Sequence, residues 1–245
     1  MPDAVFDDPR LAAIYDALEP GRSDLDFYVA MIDEFGARSV LDVGCGTGVF
    51  VLRLAERGLH VIGVDPADAS LDVARAKPGA ARVMWIDGDA SAIPAFVQVD
   101  MVTMTANVAQ VFLTDADWLA TLEASRRALR PGGLLLFESR DPDRQAWTEW
   151  SEERTRSTTD VPGVGGVTDW VQVTEVDGEL VTFESPYVFE ADGTMIVSRS
   201  TLRFRSRAAI EDSLRASGFV VAEVRDAADR PGRELVFIAR RTDAA

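Results

Sequence analysis

The segment Val40-Leu41-Asp42-Val43-Gly44-Cys45-Gly46-Thr47-Gly48 sets three glycines at every second position behind a run of apolar residues. A strand that ends in glycines and opens a helix lets bare backbone approach a ligand and aims helix N–H groups at an anion. Many cofactors use that chemistry. The dinucleotide fingerprint needs its third glycine one place later, where this chain has Val49, so the spacing is G-x-G-x-G rather than G-x-G-x-x-G. A carboxylate, Asp65, closes the next apolar run, Val61-Ile62-Gly63-Val64-Asp65-Pro66, about 20 residues on.

The glycine segment resembles motif I of the class I S-adenosylmethionine-dependent methyltransferases. The resemblance continues at matching intervals through residues 40–140 and more loosely to the C-terminus. It implies S-adenosylmethionine as cofactor and a sheet whose last strand is antiparallel. Asp65, followed by Pro66, takes the position whose two carboxylate oxygens accept from both ribose hydroxyls. After the third strand, in Asp87-Gly88-Asp89-Ala90, the resemblance puts Asp89 on the adenine amine and the Ala90 N–H on a ring nitrogen, with Gly88 in the turn. Asp42 falls near the cofactor's ammonium, and the backbone of Gly44, Cys45, Gly46 and Gly48 beside its methionyl tail. Tyr15 is similar to the N-terminal aromatic that closes over the cofactor, and Thr105, directly after the fourth strand, is also placed at the cofactor. Cys45 reads as a small packing residue and not as a nucleophile.

Alternating elements must position these residues. Apolar runs at 39–43, 60–64, 82–86, 99–104 and 134–138 read as buried strands, and helices are expected at 49–57, 68–77 and 115–129. The N-terminal stretch 9–35 has helical spacing broken by Pro20-Gly21. Beyond Asp141 a helix is expected over 144–154, holding Trp147 and Trp150. Three antiparallel strands over 167–205 follow, with turns at Asp177-Gly178 and Asp192-Gly193, then a helix at 207–216 and strands at 219–225 and 234–240. The expected class is α/β: a Rossmann-like doubly wound sheet with an antiparallel last strand and an inserted antiparallel β-meander. Residues 1–36 form N-terminal covering helices, 37–141 and 206–245 the cofactor-binding core, and 142–205 the insertion, a substrate lid.

Ligands of open α/β sheets sit outside the carboxyl ends of the strands. Asn107 and Gln110 after the fourth strand, with Glu138 and Arg140 after the fifth, are therefore the candidates for orienting a methyl acceptor. The histidine pair that many relatives carry near Gln110 is missing, and the chain has one histidine, His60, at the opposite sheet edge. A histidine base is not expected. Methyl transfer tolerates that: alignment supplies about 7–11 kcal/mol of barrier lowering, whereas a general base gives about 10²–10⁴-fold.

Composition narrows the acceptor. A net charge of -16 over 245 residues disfavours nucleic acid, whose binding rests on Lys and Arg. The aromatic and proline signature of base methylation is absent around Asn107. One cysteine and one histidine exclude a cysteine-rich or histidine-based metal site, so no metal is expected. No apolar run reaches the roughly 18 residues of a membrane span, and MPDAVFDDPR is no signal peptide. The expectation is a cytoplasmic enzyme acting on a small-molecule acceptor, with meander edges that leave a homodimer open. A non-catalytic S-adenosylmethionine-binding regulatory or scaffold protein is the alternative; an NAD-dependent oxidoreductase suffers from the misplaced third glycine.

Overall fold

A computed structural model of the chain describes residues 2–242. Its N-terminal arm is three helices, α1 (Ala4–Asp7), α2 (Pro9–Leu18) and α3 (Asp24–Glu34). Asp8 caps α2 by accepting from the N–H groups of Arg10 and Leu11, with Pro9 in the first turn, where its missing N–H is not needed. The core follows as β1 (Ser39–Val43), α4 (Val49–Glu56), β2 (His60–Asp65), α5 (Asp68–Ala76), β3 (Val83–Asp87), β4 (Val99–Met104), α6 (Asp115–Ala128) and β5 (Leu129–Arg140). Thr114 caps α6, whose first turn carries Asp115 and Asp117 and whose last carries Arg126 and Arg127, as the helix dipole favours.

The insertion comprises α7 (Glu152–Thr155) and strands β6 (Ser157–Val161), β7 (Gly165–Asp169), β8 (Gln172–Asp177), β9 (Leu180–Phe189) and β10 (Met195–Arg203). The core resumes with α8 (Arg207–Ala216), β11 (Phe219–Asp226) and β12 (Glu234–Arg241). The large sheet runs β11-β12-β5-β4-β1-β2-β3, parallel from β5 to β3, with β12 antiparallel to both β5 and β11. Five antiparallel strands form the second sheet, ordered β10-β9-β7-β6 with β8 also paired to β9. This is the expected α/β class.

Side chains alternate across β5. Leu135 and Phe137 face a cluster with Trp118, Leu214 and Phe237 under α6 and α8, while Leu134 and Leu136 face Met31, Phe50, Leu54 and Ile238 under α3 and α4. The next residue on the α3 side is Glu138. A third cluster joins Leu11 and Ile14 of α2 to Val161, Val167, Tyr187 and Phe189 of the second sheet.

Two expectations for the insertion are corrected. Residues 144–154 do not form one helix: Gln145 has φ +45°, and short 3₁₀ turns at Pro142–Arg144 and Ala146–Glu149 precede α7. Left-handed backbone at a non-glycine residue stops a helix, and the two tryptophans gain more by packing on the meander than by sharing a helix face. The meander has five strands rather than three, because the β-branched run Ser157–Val161 pairs with β7 through a turn at Gly163, and the run from 167 to 177 is divided at Trp170-Val171.

Candidate functional site

The three glycines of the turn between β1 and α4 lack a side chain for two different reasons. A Cβ at Gly44 would lie 2.6 Å from Val108, and one at Gly48 2.6 Å from Trp85, so these two are bare for packing. A Cβ at Gly46 would meet nothing within 4 Å. Gly46 has φ +53°, and its N–H donates to Asp65 Oδ2 at 2.7 Å, which holds the turn open toward free space. Asp65 Oδ1 accepts from the Ala67 N–H at 2.9 Å and its backbone oxygen accepts from the Gly88 N–H at 3.0 Å, joining the ends of β2 and β3. Burial raises the Asp65 carboxyl above its ordinary value.

Asp42, one residue inside β1, is 1% exposed and accepts from Thr103 Oγ1 at 2.6 Å. Burial lifts it to about 7, opposed by the Thr103 hydrogen bond and reinforced by Glu138 and Asp65. Asp89 is exposed and caps the turn at Ala90 by accepting from the Ser91 N–H at 2.8 Å. Ala90 and Thr105 are buried, and Pro66 is exposed. Cys45 is buried with Sγ where a Gly63 Cβ would clash, and burial pushes its thiol well up, which agrees with a packing role. Tyr15 is half-buried against Phe6, their rings 5.7 Å apart.

Of the four residues expected on the acceptor side, Asn107 and Gln110 follow β4 and meet Glu138 and Arg140 at the C-terminal end of β5. Ala106 (φ +57°) and Asn107 (φ +62°) are consecutive non-glycine residues in left-handed backbone, a strain that surrounding structure must hold in place. The Asn107 N–H donates to Glu138 Oε1 at 2.7 Å, and Arg140 Nη1 donates to Gln110 Oε1 at 2.9 Å. Asn107, Gln110 and Glu138 are each no more than 4% exposed. Burial lifts Glu138 to about 7, offset by Tyr28 and the Asn107 N–H and reinforced by Glu234. Three buried side-chain atoms here have no hydrogen-bond partner: Asn107 Oδ1, Gln110 Nε2 and Glu138 Oε2. Unpaired buried polar atoms cost about 1–3 kcal/mol each, so a site of this kind is completed by a ligand or by water.

Around this network stand two residues that sequence reasoning missed, Glu234 and Tyr28, and the two tryptophans that it had singled out. Glu234, at the start of β12 opposite Arg140, accepts from Asn107 Nδ2 at 3.1 Å and from Arg230 Nη1 at 2.7 Å. Tyr28 of α3 is buried facing the Glu138 carboxyl without completing a hydrogen bond to Oε2, and burial with that carboxyl raises its hydroxyl. An aromatic wall of Trp147, Trp150, Phe183 and Phe204 adjoins the network, with the Arg140 guanidinium 5.4 Å from the Trp150 ring centre. On the cofactor side, Asp16 of α2 accepts from Thr47 Oγ1 at 2.6 Å and pairs with Lys77, whose ammonium also donates to the Thr47 carbonyl. Among the described residues no cluster of His, Cys, Asp and Glu could hold a metal ion, and no helix is long and apolar enough to cross a membrane.

Residues 40–133 match the family model described as a methyltransferase domain. The cypemycin N-terminal methyltransferase of a Streptomyces species is 32% identical over 142 residues, 57% of this chain and 58% of that protein. The chain spans about half the length of the curated relatives it matches. An S-adenosylmethionine-dependent methyltransferase from Clostridium acetobutylicum shares the fold with a TM-score of 0.78 at 17% identity, covering 96% of this chain and 98% of that one. S-adenosylmethionine-bound CalS10, an amino pentose methyltransferase from Micromonospora echinaspora, gives 0.69 at 24% identity, covering 94% and 95%. At such identities these two structures speak to the fold alone. Over residues 40–133 the sequence is similar to methyltransferase domains, and the α/β core shares the fold of S-adenosylmethionine-dependent methyltransferases. Its cradle fits that cofactor: the free space at Gly46 admits a ligand against bare backbone, and Asp42 and Asp65 offer carboxylates to a cationic, ribose-bearing molecule.

Proposed function

We propose that this protein transfers a methyl group from S-adenosylmethionine to a nitrogen of a small-molecule acceptor. The observation that carries the reading is the meeting of two half-sites along one sheet edge. Bare Gly46, Asp42 and Asp65 stand at the ends of β1 and β2, and the incompletely paired network stands at the ends of β4 and β5. The relative named for an N-terminus supports nitrogen as the acceptor atom.

In this reading Asp65 and Pro66 hold the ribose, Gly88, Asp89 and Ala90 the adenine, Asp42 the ammonium, and the 44–48 turn the methionyl tail. Tyr15 and Thr105 close the cradle. The cofactor supplies a methyl on a positively charged sulfur, already activated for in-line displacement. Asn107, Gln110, Glu138 and Arg140 hold the acceptor in line, the part that supplies about 7–11 kcal/mol. Glu138 Oε2, which has no partner in the protein, would take the one proton that the acceptor nitrogen sheds on methylation. A carboxyl lifted to about 7 is matched to accept it near neutral pH. The second sheet and the Trp147/Trp150 turns cover the acceptor and exclude water. Calorimetry with S-adenosylmethionine and S-adenosylhomocysteine tests the cradle, and absence of binding by both would sink the reading. A radiolabelled-methyl screen of amines and alcohols then identifies the acceptor atom.

A further inference from the structure

We propose that Glu234 is a positioning residue that fixes the hydrogen-bonding polarity of the acceptor site, and that this polarity selects an amine that also carries a nearby hydroxyl or ether oxygen. The inference rests on the methyl-transfer reading above and adds a substrate class to it.

Glu234 Oε1 gathers donors from three directions: Asn107 Nδ2 at 3.1 Å, Arg230 Nη1 at 2.7 Å and Arg140 Nε at 3.7 Å. An oxygen used in this way forces the Asn107 amide to turn its NH₂ toward it. Asn107 Oδ1 is thereby left as a buried acceptor without a partner. Glu234 also holds Arg140 beside Gln110. A guanidinium only donates, so the Gln110 amide must offer Oε1 to Arg140 Nη1, which leaves Nε2 as a buried donor without a partner. Glu138 spends Oε1 on the Asn107 N–H, and its Oε2, on the carboxyl that the Tyr28 hydroxyl faces, has no partner within hydrogen-bond geometry. The result is a definite pattern of two acceptors and one donor.

The three atoms belong to one continuous network. Asn107 and Gln110 bracket a single 3₁₀ turn, closed by the Gln110 N–H donating to the Asn107 carbonyl at 2.9 Å. Glu138 and Arg140 lie two residues apart on one face of β5. An uncharged primary amine matches the acceptor pair: its two N–H bonds point to Asn107 Oδ1 and Glu138 Oε2, and its lone pair stays free for the methyl. An alcohol has one O–H and leaves one acceptor unpaired. The Gln110 donor then calls for an oxygen within a few bonds of the nitrogen. An amine without it leaves Nε2 unpaired and binds about ten- to a hundredfold more weakly.

The test uses the full chain, labelled S-adenosylmethionine and three matched probes: trans-2-aminocyclohexanol, cyclohexylamine and cyclohexanol. Wild-type kcat/KM should favour the amino alcohol over cyclohexylamine by about tenfold or more, with cyclohexanol unmethylated. Gln110→Leu should bring the ratio of the two amines to near one. Glu234→Gln can donate as well as accept, so it frees the Asn107 amide to turn and should also lower the ratio, chiefly through KM, while S-adenosylmethionine affinity by calorimetry stays unchanged. A merely structural Glu234 would lower turnover of both amines alike. A wild-type ratio near one, a ratio unmoved by Gln110→Leu, turnover of no probe, or cyclohexanol methylated ahead of the amines overturns this inference with cofactor binding intact, and would mean that ordered water completes the network. Loss of cofactor binding in the wild type overturns the methyl-transfer reading itself.

Discussion

Replacing Glu138 by Gln should flatten the dependence of stability on pH. Burial lifts the Glu138 carboxyl from 4.5 to about 7, and the groups facing it are Tyr28 from α3, the Asn107 N–H from the β4 loop, Glu234 from β12 and Asp42 from β1. A folded-state value above the unfolded one means that folding takes up a proton between the two. The stabilisation is therefore complete below about 4.5 and is lost as pH rises through about 7. That lift corresponds to about 3 kcal/mol, of which about 2 kcal/mol falls between pH 5.5 and 8. The Glu138→Gln variant carries no titrating group at this position, so urea unfolding followed by tryptophan fluorescence should show it gaining about 2 kcal/mol on wild type across that window. Asp42 faces Glu138 and is lifted to about 7 as well, so the two titrate as a pair and the window reports their joint loss. Parallel stability curves for wild type and variant would refute the claim that Glu138 is desolvated in the folded protein.

Gly46→Val should abolish S-adenosylmethionine binding in calorimetry while circular dichroism stays native-like, because its side chain would enter the free space over the turn. Asp65→Ala should weaken cofactor binding by about 1.5–3 kcal/mol, the range for hydrogen bonds to a charged group, and unchanged affinity in a folded variant would remove the ribose assignment. Asp16→Ala should raise hydrogen exchange in residues 9–18 with little change in the core strands, since it cuts α2 from Thr47 and Lys77; equal protection in the two proteins would show that α2 is held by its apolar face alone.

The core was legible because parallel strands buried on both faces read as continuous apolar runs. Val99–Met104 and Arg207–Ala216 stand where their sequence patterns end. The cofactor turn was legible for the same reason: its glycines follow such a run without a break. Glu234 was not, because its place depends on the antiparallel register that sets it opposite Arg140, 94 positions away in the chain by their numbers, and no local pattern encodes that pairing. Tyr28 gave a signal only of helix periodicity, which a core aromatic shares. The helix expected over 144–154 failed because Trp147 and Trp150 pack on Phe204 and Phe183, contacts that override local spacing.

Helix α2 grips both halves of the molecule. Leu11 and Ile14 are seated in the meander cluster, Arg10 stacks 3.6 Å over Phe189, and Asp16 at the other end is fastened to the glycine turn. Swinging this one helix away would unseat the second sheet and release the turn in the same movement. The glycine turn and the meander are thus coupled through one ten-residue helix, and a substitution that loosens its seat on either side is felt on the other.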